Sequence, residues 1–400
     1  MIWAPLSSEF FHSNRKQLAD LLAPGSLVRI DAGEQVPRNG DQFYPYRVKS
    51  EFYYLTGLQQ PGSVFLFFPD HPDPKQQSLL FIQEPTERNE LWNGPMMDQQ
   101  EARERSGIQE VFWLEDLSYF ENLLLLEATN SYIPEKQSLS PYLNKLRTVK
   151  KEEEIVQIRQ AIAITHSAFL RVLRALKPGM MEYEIEAELI AEFIRRGAQG
   201  HAFEPIVASG RNALVLHYVR NRDLCREGDL LLLDFGAELN NYAADCSRTV
   251  PVSGRFSPRQ REVYDAVLRV LRQAREWMRP GTIMADFHAS VGQLWEEEHL
   301  RLGIYTQQEL DAHQGQEPLW KKYFMHGTSH SLGLDVHDPF DRSLPFAPGM
   351  VFTLEPAIYL PEEGMGIRLE NDILISENGA VDLMADFPIE ADEIELLMNS

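Results

Sequence analysis

The chain says one thing twice. A helix-like stretch beginning near Ile155 ends at Lys177-Pro178-Gly179, a second follows, and an apolar strand then closes on a carboxylate, Asp234. The same order returns later: a helix opened by Ser257-Pro258, a stop at Arg279-Pro280-Gly281, another helix, and a strand closing on Glu355. The helices are read from apolar residues at three- and four-residue steps, such as Ile155, Ile158 and Ile162, then Val263, Val267 and Val270. Ser257-Pro258 pairs an N-cap with a proline at the first helical position. Asp234 and Glu355 each follow a glycine, Gly228 and Gly349, at the same distance, and both pairs repeat at 121 residues (228 to 349, 234 to 355). Asp245 and Glu370 then belong to the next strand of each half. We infer an internal duplication: two α/β halves about a pseudo-twofold axis, each donating carboxylates to a common centre.

Those carboxylates constrain the chemistry. Asp234, Asp245, Glu355 and Glu370, with His330, sit in LLLLDFG, YAADCSR, FTLEPAIY, GIRLENDI and HGTSH, largely apolar surroundings. Two carboxylates ~4 Å apart repel by roughly 4 kcal/mol at an effective dielectric of about 20, and burial adds several kcal/mol for each unpaired ion. Two divalent cations would remove the penalty. Asn240-Asn241 reads as a hairpin tip that brings Asp234 and Asp245 onto neighbouring strands. Oxygen ligands with one imidazole suit Mn²⁺, Co²⁺ or Fe²⁺, and Zn²⁺ less cleanly. Metals ~3.5–4 Å apart leave room for a shared hydroxide, and amide hydrolysis is the natural chemistry. One histidine of the group His326, His330 and His337 completes five ligands, which leaves the others to act on substrate.

The rest of the chain narrows the class. A net charge of -22 argues against nucleic acid and anionic membrane as partners, because both require basic patches. No apolar run reaches the ~18 residues of a membrane span. The start of the chain lacks the pattern of a secretory signal, and two cysteines, Cys225 and Cys246, make no disulfide framework, so a cytoplasmic protein is expected. Residues 1–150 form an expected α/β domain with strands SLVRI, EFYYLTG, SVFLFFP, SLLFIQ and EVFWL. The apolar pattern lapses over 134–150, so the second domain is expected over 151–400.

The segments IVASGRNALVLHY, GDLLLLDFGAELNNYAADCSRTV, HGTSHSLGLDVHD, PGMVFTLEPAIY and GIRLENDILI closely resemble aminopeptidase P, in the pita-bread metallopeptidase family that includes prolidase. The resemblance covers nearly the whole chain. It implies an α/β (α+β) fold, with an N-terminal α/β domain that shapes substrate access and oligomerisation and a C-terminal pita-bread domain. Its implied activity is cleavage between an N-terminal residue and a following proline by a metal-bridging hydroxide, in a homodimer or homotetramer holding two divalent ions per chain, Mn²⁺ first. Asp234 then binds one ion, His330 and Glu355 the other, and Asp245 and Glu370 bridge them. His217 and His337 match the histidines that contact the scissile carbonyl, Glu355 the proton carrier, and Arg368 the partner that orients ligand carboxylates. His326, Tyr359 and Arg342 match residues around the proline subsite, and Asp41 and Trp92 positions that shape the entrance. The chain departs from the family at Pro339–Arg342, where a longer loop is common, and at Phe235, in place of a small residue. Three other readings compete: a prolidase limited to Xaa-Pro dipeptides, a metal-free binding protein on the same fold, and a dimetal enzyme acting on another small molecule.

Overall fold

The computed structural model describes residues 3–133, 137–313, 315 and 317–400. Two compact units emerge, Ala4–Arg147 and Thr148–Ser400, with Trp3 joining the second. Of the stretch expected to be slack, 134–136 lie outside the described residues and Ser140–Thr148 is an α-helix.

The N-terminal unit is built on a five-stranded mixed sheet in the spatial order Glu110–Trp113, Ser78–Ile82, Val64–Phe67, Ser26–Asp31, Asn130–Tyr132. Four of the expected strands are among these. EFYYLTG is not: Ser50–Thr56 is an α-helix, closed by Gly57 in the left-handed region at φ 71° with its N–H on the Tyr53 carbonyl. Phe52, Tyr53, Tyr54 and Leu55 are all buried, so the helix is apolar all round and shows no period. Their strand-favouring side chains mislead when packing decides the backbone. The strand Asn130–Tyr132 is too short and too polar to be seen in sequence.

In the second unit the duplication is physical. Helices Glu152–Ala175 and Glu182–Arg195 open the first half, and Pro258–Arg275 and Met284–Arg301 the second. Ile155, Ile158, Ile162, Phe169 and Leu173 are buried along one face of the first. Ser257 accepts from the Gln260 N–H and caps the third, which stops at Arg275, short of the expected Pro-Gly. Gly179 and Gly281 hold φ of 94° and 91° with open space where a Cβ would stand, so it is backbone conformation that requires glycine at both stops.

Each half then folds as strand, hairpin, strand. In the first, Leu230–Phe235 pairs antiparallel with Cys246–Pro251, and the hairpin Ala237–Leu239/Tyr242–Ala243 lies between. Its tip, Asn240 and Asn241, takes φ of 49° and 65°, as a two-residue primed turn demands. In the second, Val351–Leu354 pairs with Asn371–Ser376 across the hairpin Ala357–Leu360/Met365–Arg368. The halves differ in their third strand. Ile206–Ser209 pairs with the strand bearing Asp234, whereas Gly379–Asp382 pairs with the strand that follows Glu370. Among the described residues no helix is long and apolar enough to cross a membrane.

Candidate active site

The four carboxylates stand where strands give way to hairpins. Asp234 is the penultimate residue of its strand, Glu355 directly follows Val351–Leu354, and Asp245 and Glu370 directly precede the return strands. Asp234 faces Ser247 across the ladder, so Asp245 lies two residues beyond direct opposition. The chain can turn there because Gly236 lacks a side chain: a Cβ would stand 1.7 Å from the Ala244 carbonyl oxygen. The halves are stitched together by the Glu370 N–H on the Ser247 carbonyl at 3.0 Å, and by Ser247 Oγ donating to Glu370 Oε2 at 2.7 Å. The Asp245 N–H donates to Asp372 Oδ2 at 3.2 Å. His330 comes from irregular chain held against the Val351–Leu354 strand. The Thr353 N–H donates to the His330 carbonyl at 2.9 Å and the Glu355 N–H to the Thr328 carbonyl at 3.0 Å.

Donor atoms of Asp245, His330 and Glu370 lie within 4.8 Å of one another. His330 Nε2 is 3.4 Å from Asp245 Oδ2 and 3.7 Å from Glu355 Oε1. Its Nδ1 sits 3.2 Å from the Ser331 carbonyl. A carbonyl only accepts, so Nδ1 carries a hydrogen, and Nε2 is the atom turned toward the carboxylates. Oδ1 of Asp234 and of Asp245 is buried with no hydrogen-bond partner among the described residues, a costly state for a carboxylate oxygen. Burial and then Glu370 push Glu355 up to about 8; burial and then Asp234 push Glu370 up to about 8. Asp245 is raised well above the usual carboxylate range, by burial first and then by Glu370, Asp234, Asp372 and Glu355. Burial and mutual repulsion thus disfavour the charged forms of these carboxylates. Oxygen donors, one oriented imidazole and orphaned oxygens fit divalent metal.

Arg368 is the hub behind this cluster. Its Nη2 donates to Asp234 Oδ2 at 2.7 Å, its Nε to Ser247 Oγ at 2.8 Å, and its Nη1 to the Tyr359 hydroxyl at 2.8 Å. Burial opposes its charge, but Tyr359, Asp234, Glu370 and Glu355 outweigh burial and keep it protonated. The Tyr359 hydroxyl lies 2.9 Å from His326 Nε2, and His326 Nδ1 2.8 Å from the Gly327 carbonyl. The carbonyl fixes the hydrogen on Nδ1, so Tyr359 donates to Nε2. Burial, then Arg368, pushes His326 down to about 3.

One cavity of about 700 Å³ takes in all five proposed ligands together with His217, His326, His337, Arg342 and Arg368. Tyr359 does not line it; at 1% exposure it stands behind His326. His337 packs edge-on to His330 with ring centres 4.2 Å apart, and burial and then His330 lower its pKa. His217 rides on an exposed loop anchored by the buried Glu182 carboxylate. That carboxylate accepts from the Ser209 N–H, Asn212 Nδ2, the Tyr218 hydroxyl and the Asp223 N–H. Asp41 tops the hairpin Pro37–Asn39/Gln42–Phe43, and Trp92, 75% exposed, lies on the helix Glu87–Asn93; both belong to the N-terminal unit.

Sequence reasoning missed the clamp behind the histidines. Lys150 Nζ lies 3.1 Å from Asp338 Oδ2 and 3.2 Å from Ser331 Oγ, tying together the residues that follow His337 and His330. It also missed Glu182, Ser247 and Asp372. Only Asp338, within DVHD, carried a local hint.

The pattern of the metallopeptidase family M24 matches residues 156–377, and that of the aminopeptidase P N-terminal domain matches 11–132. The Xaa-Pro aminopeptidase of Escherichia coli K12 is 35% identical, over 98% of each chain. Proline aminopeptidase P II from Yersinia pestis superposes with a TM-score of 0.91 at 32% identity, over 98% of this chain and 100% of that one. A zinc-substituted E. coli aminopeptidase P in complex with product superposes at 0.89, with 33% identity over 99% of each. Identity at this level across both units is not a likeness of fold alone: the chain belongs to the M24 metallopeptidases and, within them, to the aminopeptidase P family.

Proposed function

We propose that this chain is a metalloaminopeptidase that hydrolyses the peptide bond between an N-terminal residue and a following proline. The observation that carries the reading is that donors of Asp245, His330 and Glu370 lie within 4.8 Å of one another in a cavity that Asp234 and Glu355 also line, with orphaned oxygens on Asp234 and Asp245. In this reading Asp234 holds one divalent ion, His330 and Glu355 the other, and Asp245 and Glu370 both. Manganese is the ion proposed, with Co²⁺, Fe²⁺ or Zn²⁺ as alternatives. When bound, the ions would supply Lewis acidity and lower the pKa of water.

The chain's own groups do the rest. His217 and His337 act as N–H donors to the scissile carbonyl oxygen, where negative charge develops. Glu355 takes the proton of the attacking water on its carboxylate and returns it to the proline nitrogen. Arg368 keeps Asp234 aimed and holds Glu370 through Ser247. His326, backed by Tyr359, and Arg342 form the wall toward the proline. Asp41 and Trp92 shape the entrance, and the N-terminal domain serves access and assembly as a homodimer or homotetramer. A cytoplasmic setting fits the sequence.

Prolidase is the second reading, because it shares the donor set. A paired assay of Xaa-Pro and Xaa-Pro-Yaa with Mn²⁺, Co²⁺ and Zn²⁺ separates the two. Ready cleavage of the tripeptide supports the aminopeptidase, and cleavage of the dipeptide alone overturns it.

A further inference from the structure

A second cleft, of about 840 Å³, opens beside the catalytic cavity and shares Met284, His326, Gly327, Ser329 and Arg342 with it. His326 is therefore a partition between two volumes. The cleft is within the 300–1,000 Å³ typical of ligand pockets, yet cleaving an Xaa-Pro bond makes no use of it. Its wall is partly apolar, with Trp320, Phe324 and Met325, and it carries three cations, Lys321, Lys322 and Arg342, against one lining carboxylate, Glu317, while Lys322 pairs at 3.2 Å with Glu362 outside the lining. That is a local excess of cations on a chain of net charge -22. Lys321 is bound to Glu317 at 3.1 Å, but their side chains are 43% and 75% exposed, so the pair is cheaply exchanged for another carboxylate. Arg342 has no hydrogen bond or ion pair among the described residues.

We propose that this cleft receives the substrate from its third residue onward, and that its cationic wall selects peptides carrying carboxylates there. The inference rests on the proposed cleavage before proline and extends it. A peptide whose proline lies against His326 has its third residue at the shared rim beside Arg342, and Lys321 is the group that side-chain carboxylates after the third residue meet beyond it.

The test uses the metal-loaded enzyme and three peptides: Ala-Pro-Ala, Ala-Pro-Ala-Ala-Glu-Glu and Ala-Pro-Ala-Ala-Lys-Lys. The acidic hexapeptide should exceed the basic one by about fivefold in kcat/KM, mostly through KM, the size expected of an exposed ion pair. The gap should shrink with added salt. Lys321→Glu should abolish or invert it, and Lys321→Gln should halve it or more, while Ala-Pro-Ala cleavage is unchanged by either. Equal rates for the two hexapeptides, or a variant that slows all three peptides alike, would overturn the cleft assignment and leave the proline reading standing. No cleavage of Ala-Pro-Ala by the wild type would overturn both.

Discussion

Lys150 and Asp338, 188 residues apart, form an ion pair of 3.1 Å in which both side chains are 1% exposed. A buried pair rarely stabilises more than apolar residues of the same shape would, but breaking it by removing one partner costs about 3–5 kcal/mol. Lys150 therefore earns attention as a clamp on the segment carrying His330 and His337. Lys150→Met should destabilise by that amount in urea unfolding, and adding Asp338→Leu should recover most of it. The double variant should still fall in kcat, because the two histidines lose their common anchor. A loss below about 1 kcal/mol for Lys150→Met would count against the clamp.

Arg368 makes three bonds in different directions, to Asp234, Ser247 and Tyr359. Lysine offers a point charge and cannot satisfy all three. Arg368→Lys should weaken divalent-ion affinity about 10- to 100-fold, the usual cost of losing an outer partner of a metal ligand. Calorimetric titration of metal-free protein measures it, and unchanged affinity would contradict the role.

His337 is proposed to act on the intermediate and not on the ions. His337→Ala should keep metal content near normal while kcat falls by about 10²–10³. Glu355→Ala should lose both. Metal analysis beside steady-state kinetics distinguishes them, and metal loss in the histidine variant would disprove its assignment.

Glu154 gives a pH test outside the ligand set. Burial raises it from 4.5 to about 7. The folded state thus binds this proton more tightly than the unfolded state. Its stabilising contribution is complete below about pH 4.5 and is lost as pH rises through about 7. In metal-free protein, Glu154→Gln should therefore gain stability relative to wild type between pH 5 and pH 8. Unfolding curves at the two pH values that keep a constant difference would refute the shift.

Much of the centre was legible because the duplication is written locally. Apolar strands leading to carboxylates, Pro-Gly pairs beyond helices and the Asn240-Asn241 turn all obey short-range rules, and the structure has the strands and the turn, while the helices end a few residues before each Pro-Gly. What was hidden depends on distant partners. EFYYLTG reads as a strand because four consecutive buried residues, Phe52 to Leu55, leave its helix without an apolar period. Lys150 and Asp338 had no reason to be paired on paper, and the third strand of each half joins on a different side. Tyr359, expected around the proline subsite, is buried behind His326 with its hydroxyl 2.9 Å from His326 Nε2, a contact that spacing does not reveal. Contacts across more than a hundred residues leave no trace in spacing.

The central claim is that Asp234, Asp245, His330, Glu355 and Glu370 hold two ions that act on a prolyl peptide bond. The most direct measurement is stepwise loading of metal-free protein with Mn²⁺ while hydrolysis of Ala-Pro-Ala is followed. The account predicts two ions bound per chain, cleavage after the N-terminal alanine, and loss of both in Glu370→Ala. Binding of less than one ion, with no cleavage under Mn²⁺, Co²⁺ or Zn²⁺, would contradict it.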